Sequence, residues 1–329
     1  MKVAVLGAGA WGTALAMHVV NRHQTVLWSR NPAVLKAVRE RGSNDCYLPE
    51  VRLPAALAVT DSLPAALDQA DLVVMATSVA GIRPVSAALA QALRPDERPG
   101  VVCLSKGLEA STRLFPHQVL EAALPGLRVG CLSGPSFAQE VAAGLPVALT
   151  AASLDETLPH QMVEAFHHGA MRVYRSADLV GVEVAGALKN IMAVATGICD
   201  GLGLGLNARS ALLTRGLAEI TRFGLAHGAA AETFLGLAGV GDLVLTCTGD
   251  LSRNRRVGLL LAKGQSLPDI LASLGHVAEG VACCPAVVSR AQEAGIELPI
   301  SQAVLAVIEG RLAAREAVGT LLARSPRSE

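Results

Sequence analysis

The sequence has no excess charge of either sign: Lys and Arg together number 28, and so do Asp and Glu. A nucleic-acid footprint needs a basic excess or stripe, so no nucleic-acid partner is expected. A small anionic substrate is still allowed, since it needs only a few local charges. No uninterrupted apolar run reaches the ~18 residues that suggest a membrane span. The nearest approach, 191–206, is broken by Asp200 and several glycines. The apolar start at Met1 is too short for a signal peptide and ends in Gly7-Ala8-Gly9, not in a small-residue cleavage site. The seven cysteines (Cys46, Cys103, Cys131, Cys199, Cys247, Cys283 and Cys284) form no C-x-x-C pair, and no His cluster has metal-ligand spacing. No metal site is expected, and reduced thiols in a cytoplasmic protein are. Aromatics are scarce at 3%, although 51% of the residues are hydrophobic. The apolar excess is therefore in Ala, Leu and Val, which suits close packing of helices on helices and sheets. There is no internal repeat and no low-complexity linker, and only 325–329 reads as disordered.

With 329 residues the chain exceeds the usual size of a single core, so two domains are expected. Short apolar runs at 2–6, 24–28, 72–76, 101–104, 128–132, 147–150 and 171–174 read as strands buried on both faces. Helical patterns of roughly 10–15 residues fit between several of them. That rhythm implies a Rossmann-like, doubly wound α/β domain over 1–176. After Tyr174 the rhythm stops. Asp178 can cap a helix to about Thr196, and further helices are expected at 208–227, 253–262, 281–294 and 300–309. An all-helical domain over 177–329 follows.

Gly7-Ala8-Gly9-Ala10-Trp11-Gly12 fits G-x-G-x-x-G, with a strand before it and a helix, 13–20, after it. Gly7 allows the tight turn, Gly9 lets the backbone approach a pyrophosphate, and Gly12 lets helix and strand pack closely. The phosphates would then sit at the helix N-terminus. A dinucleotide, NAD or NADP, is the expected cofactor. The second strand ends in Trp28-Ser29-Arg30, with no acid to hold a ribose 2′-hydroxyl. Ser29 and Arg30 could instead hold a 2′-phosphate, or Arg30 could stack over adenine or lie in solvent. NADP(H) is expected to serve at least as well as NAD(H).

Four further clusters stand out. They are Leu104-Ser105-Lys106-Gly107-Leu108-Glu109; Ser133-Gly134-Pro135-Ser136-Phe137-Ala138; Gly186-Ala187-Leu188-Lys189-Asn190; and the stretch from Gly239-Val240-Gly241-Asp242 through Thr246 to Ser252-Arg253-Asn254-Arg255. With the glycine loop, and with Val277-Ala278-Glu279-Gly280 and Leu298-Pro299-Ile300, the chain resembles the bacterial NAD(P)-dependent glycerol-3-phosphate dehydrogenase family, in order and over almost its whole length. The resemblance implies interconversion of sn-glycerol 3-phosphate and dihydroxyacetone phosphate, a small phosphorylated three-carbon pair, supplying phospholipid synthesis. It puts the proton-transfer lysine on Lys189, and places Lys106 in the substrate site. Substrate-binding positions fall on Gly134, Ser136, Asn190, Asp242, Thr246, Ser252, Arg253 and Asn254. Nucleotide contacts fall on the glycine loop including Ala10 and Trp11, and on Tyr47, Lys106, Ala138, Arg253, Val277 and Glu279, to which the reading of the second strand's end adds Arg30.

The chemistry reads consistently beside the resemblance. Hydride addition to a ketone leaves negative charge on oxygen, so a proton donor must lie close. Lys189 sits in an apolar helix with Ala185 and Ala193 on its own face; a snorkelling surface lysine is the alternative. An ordinary lysine is a poor base at neutral pH, and burial or a second cation such as Lys106 would make it a better one. The expectation is one cleft holding Lys189, Lys106 and Asp242. Asp242, in a Gly-flanked turn, could accept from substrate hydroxyls, orient Lys189 or cap a helix. Ser252 reads as a helix cap, so Arg253 beside it could clamp a phosphate, while Arg255 and Arg256 fit a solvated basic face. Tyr47, just before Leu48-Pro49, could simply pack. The chain departs from the family at Ala10 (often Ser), at Ala76-Thr77-Ser78 (usually Val-Pro-Ser) and at Leu206 (commonly Asp), ahead of Asn207, which can cap the next helix. One rival reading is a related two-domain 3-hydroxy-acid or ketopantoate dehydrogenase. Another is a nucleotide-binding redox sensor, which would have no use for Lys106, Lys189 and Asp242. Sequence does not settle the oligomeric state, and a homodimer is one option.

Overall fold

The strands of the first part of the chain are β1 (Lys2–Leu6), β2 (Gln24–Trp28), β3 (Ser43–Asn44), β4 (Leu48–Arg52), β5 (Ala58–Thr60), β6 (Leu72–Met75), β7 (Gly100–Cys103), β8 (Val129–Ser133), β9 (Val147–Ser153) and β10 (Met171–Ser176), most of them short apolar runs between turns. The computed structural model describes residues 1–274 and 278–323; Val277 and 325–329, which carry two of the expectations above, lie outside them. The chain divides into one compact unit of Met1–Lys106 with Phe115–Leu179, and a second of Gly107–Leu114 with Val180–Glu329.

In the first unit eight strands form one sheet in the order β10-β9-β8-β7-β6-β1-β2-β5. Every pair is parallel except β8 with β9, which run antiparallel. β6, β7 and β8 are buried at every position, as strands covered on both faces should be. Strand order reverses between β1 and β6, the switch point at which such sheets bind ligands beyond the strands' C-terminal ends. The expected strands are all present. β3 and β4 add a small separate hairpin, and β5 a short edge.

A stack of histidines lies in the same unit. His18 and His168 are stacked with centroids 3.9 Å apart, and His23 meets His168 edge-on at 6.4 Å. His18 Nε2 hydrogen-bonds the Phe166 carbonyl at 2.9 Å. Burial lowers the pKa of His168 to about 4, with His18, Arg22, His23 and His167 adding to the effect.

Among the described residues of the second unit there is no strand. The helix Leu179–Gly201 starts just after Asp178 and runs past its expected end. It is long and apolar enough to cross a membrane, yet 94% of its apolar window is buried inside the protein, which marks a core helix. The segment Ala231–Thr248 passes the same test, but it is broken at Gly236 (extended) and at Gly239, whose φ −88 and ψ −106 are not helical. Gly258, on the helix Arg253–Ala262, lets that helix touch Leu179–Gly201 backbone to backbone: a Cβ on it would lie 2.1 Å from the Val194 carbonyl. The helix Gly205–Ala226 begins before Asn207, so Asn207 sits inside its first turn and is not its cap.

Two outcomes follow from this packing. Gly258→Ala forces the helices apart and should lower stability by about 1–3 kcal/mol. Gly319→Ala, in the exposed helix Ala314–Leu322 with nothing within 4 Å of the added carbon, should raise it by about 0.5–1 kcal/mol; chemical denaturation followed by circular dichroism measures both. Because the folded pKa of His168 is depressed, its contribution is fully present above about pH 6.5 and is lost as pH falls towards about 4. Both tryptophans, Trp11 and Trp28, lie in the first unit. Their fluorescence should therefore report acid destabilisation between those values, and His168→Gln should flatten it.

Candidate active site

The glycine loop of the first unit has the shape that its sequence predicts. Gly7 takes φ +127, and a Cβ there would lie 2.5 Å from the Ala76 carbonyl at the end of β6. A Cβ on Gly12 would lie 2.1 Å from the Gly7 carbonyl, whereas one on Gly9 would meet nothing within 4 Å. Gly7 and Gly12 are thus confined by protein, and Gly9 faces open space where a ligand can approach the backbone. Gly9 also caps the helix Ala10–Val19, whose first turn carries no acid to repel phosphate. These residues fit a dinucleotide.

The other expected residues of this unit are placed as follows. Arg30 is exposed, with its guanidinium carbon 5.9 Å from the Trp28 ring centroid. Ser29 is buried, and its hydroxyl accepts from the Asn31 amide at 3.2 Å. Trp11, Tyr47 and Ala138 are partly buried and pack against the core. Lys106 Nζ donates to the Gly134 carbonyl at 3.2 Å, and the Ser136 hydroxyl donates to the same oxygen at 3.1 Å. One ammonium, one hydroxyl and the Gly134 turn (φ +135) thereby meet beyond the C-terminal ends of β7 and β8. At the departure from Val-Pro-Ser, the Thr77 carbonyl accepts from the Ser105 hydroxyl at 2.7 Å, which ties the ends of β6 and β7 together.

In the second unit Lys189 is 6% exposed and Asp242 1%. Lys189 Nζ donates to Asp242 Oδ1, forming a buried ion pair, and to the Thr246 hydroxyl at 2.8 Å. Lys189 is therefore not a snorkelling surface lysine. The backbone break at Gly239 ends one run of helix, and Asp242 becomes the first residue of the next, Asp242–Thr248, which also carries Thr246 one turn on. A turn was expected at Asp242; the Gly-Val-Gly stretch is instead a π turn leading into helix.

Next to Lys189 in sequence, Asn190 Oδ1 accepts from Asn254 Nδ2 at 2.9 Å, and Asn254 Oδ1 accepts from the Gly280 amide at 3.0 Å. This relay links three helices. Ser252 caps the helix Arg253–Ala262 by accepting from the Arg255 amide at 3.3 Å, and Arg253 is exposed at its first position. Glu279 opens the helix Glu279–Glu293. Arg255 corrects an expectation. It is not a solvated cation but pairs with Asp200 at 2.7 Å and with Asp250 at 2.9 Å. Asp250, five residues away, was a readable signal, whereas Asp200 is hidden by its sequence distance from Arg255. All seven cysteines are free. Burial pushes the Cys247 thiol up to about 12, so it is inert at neutral pH.

Family models described as the NAD-dependent glycerol-3-phosphate dehydrogenase N-terminus and C-terminus match residues 2–158 and 178–319. A protein of Methylibium petroleiphilum called glycerol-3-phosphate dehydrogenase (NAD(P)+) is 55% identical over 333 aligned residues, spanning 100% of this chain and 98% of that protein. One of the same name from Herminiimonas arsenicoxydans is 54% identical, spanning 100% and 99%. The crystal structure of glycerol-3-phosphate dehydrogenase from Coxiella burnetii superposes with a TM-score of 0.93 at 38% identity, covering 98% of this chain and 99% of that one.

Removing one partner of a buried ion pair strands the other charge. Lys189→Met should therefore lower stability by about 3–5 kcal/mol. Adding Asp242→Asn to it should restore most of that loss without restoring turnover. Denaturation and steady-state rates on the single and double variants measure the two effects separately.

Proposed function

The chain belongs to the NAD-dependent glycerol-3-phosphate dehydrogenase family, and from that premise we propose how its residues divide the work of interconverting sn-glycerol 3-phosphate and dihydroxyacetone phosphate with NAD(P)(H). The observation that carries the reading is the buried amine of Lys189, held by Asp242 and Thr246. When bound, the nicotinamide supplies or accepts the hydride. Lys189 Nζ donates the proton that turns the ketone oxygen into a hydroxyl, and takes it back in the oxidative direction. A neighbouring carboxylate favours the charged amine and so opposes the shift towards a neutral base that burial and a second cation were expected to bring; Asp242 thus suits Lys189 to donation and to reduction.

Lys106, with Gly134 and Ser136, supplies a second cation and hydrogen-bonding groups for substrate oxygens. Asn190, Thr246 and Asn254 contribute the polar contacts that orient the substrate. Ser252 shapes the helix start, and Arg253, exposed beside it, clamps the phosphate. The glycine loop holds the pyrophosphate, with Ala10 and Trp11 at the helix start. Arg30, Tyr47, Ala138 and Glu279 contact the rest of the nucleotide. With Arg30 and no acid after β2, NADP(H) serves at least as well as NAD(H). The physiological direction is towards glycerol 3-phosphate for phospholipid synthesis, in the cytoplasm. A homodimer belongs to the same reading; it is supported by the large apolar side chains that the second unit leaves exposed, such as Leu206 and Leu322.

Steady-state kinetics with dihydroxyacetone phosphate and each reduced cofactor test the whole. Turnover is expected with both cofactors, and little with the unphosphorylated ketone. Arg253→Ala should raise the KM for dihydroxyacetone phosphate at least about tenfold, the scale of one lost charge-assisted hydrogen bond. An unchanged KM would remove the phosphate clamp.

A further inference from the structure

Asn44 is fully buried on β3, and every atom of its amide has a stake in the glycine loop or none at all. Its Nδ2 donates to the Ala8 carbonyl and to the Thr13 hydroxyl, both at 2.8 Å. Its Oδ1 is buried without a hydrogen-bond partner. An unpaired buried acceptor is unfavourable, so a residue kept only to fill space would be better without it. Nor does the β3–β4 hairpin need the amide as an anchor, because Leu48, fully buried in the core, already seats its inner side, and Leu53 just beyond β4 is buried too.

We propose that Asn44 is a positioning residue for the dinucleotide, setting the glycine loop in its binding shape before the cofactor arrives. Ala8 lies between Gly7 and Gly9, residue types with the widest intrinsic choice of backbone torsions. A peptide group is planar and trans, so fixing the Ala8 carbonyl towards Asn44 turns the Gly9 N–H to the opposite side. The second bond grips Thr13, whose amide donates to the Gly9 carbonyl at 2.9 Å. The loop and the first turn of its helix are thereby tied at one point. Pre-setting these torsions reduces the ordering that binding must otherwise impose. The Asn44 backbone carbonyl accepts from the Tyr47 amide at 3.1 Å, so the tie extends to the hairpin turn.

The proposal rests on the glycine loop being the cofactor's seat, and the test separates the two. NADPH and NADH affinities are measured by nucleotide fluorescence on the wild type, Asn44→Ala, Asn44→Asp and Thr13→Val, alongside kcat, both KM values and the melting temperature. Asn44→Asp keeps the shape but removes the donors, and Thr13→Val removes one acceptor at constant volume. Asn44→Ala and Asn44→Asp should weaken cofactor binding roughly tenfold, the scale of one or two lost hydrogen bonds. Thr13→Val should weaken it less. The kcat at saturating cofactor and the KM for dihydroxyacetone phosphate should stay within about twofold of wild type. Unchanged cofactor affinity in Asn44→Asp would overturn the proposal. So would a loss spread equally over kcat, both KM values and melting temperature, which is the signature of a purely structural residue. A wild type that binds no nicotinamide cofactor would instead overturn the seat itself, and the proposal with it.

Discussion

A charged amine and a carboxylate buried together dictate the design of the second unit. Desolvating both charges costs several kcal/mol per ion, which their attraction recovers only with good geometry and added hydrogen bonds. Lys189 and Asp242 satisfy that condition through the Thr246 hydroxyl, which accepts from the amine and donates to the carboxylate at 3.3 Å. The geometry depends on the backbone. The helix Leu179–Gly201 carries Lys189 deep inside the unit, and the break at Gly239 frees the next helix to begin at Asp242. Close helix approach at Gly258 then brings Asn254 against Asn190 and Gly280. Such a pair is a poor way to gain stability, and a good way to keep an amine charged and aimed.

The first unit solves a different problem with almost no charge. Its glycine loop relies on backbone: it is confined by Gly7 and Gly12, left open at Gly9, and followed at once by a helix N-terminus, a setting that favours anions. That economy agrees with a chain whose charges balance. Lys106 is the exception; its ammonium lies against the Gly134 carbonyl at the ends of two central strands.

What could be read from sequence follows the strength of local signals. The glycine loop was legible because each glycine meets a distinct steric demand at fixed spacing, between a recognisable strand and helix. The central strands were legible because they are continuously apolar. β4 was not: Leu-Pro-Glu-Val-Arg is mostly exposed and carries a proline, so nothing in it marks a strand. The antiparallel turn of β9 is equally silent, since apolar runs do not report direction. At Asp242 the glycines suggest a turn or a helix cap, and the residue opens a helix directly after a π turn at Gly-Val-Gly, which shows the same glycines as a loop. Arg255 and Asn44 depend on partners far away in sequence, Asp200 for the first and Ala8 with Thr13 for the second. The segment Gly107–Leu114 likewise packs with the second unit through long-range bonds: Arg113 to Ser289 at 2.9 Å, and Arg290 to the Arg113 carbonyl at 2.7 Å.

The account turns on Asp242 keeping Lys189 charged for proton donation. The pH dependence of kcat for dihydroxyacetone phosphate reduction, compared between the wild type and Asp242→Asn at saturating cofactor, tests this most directly. With the carboxylate neutralised, the fall in rate at high pH should move at least about one pH unit lower, because the ammonium has lost its counter-charge. A profile that keeps its position in Asp242→Asn would contradict the account.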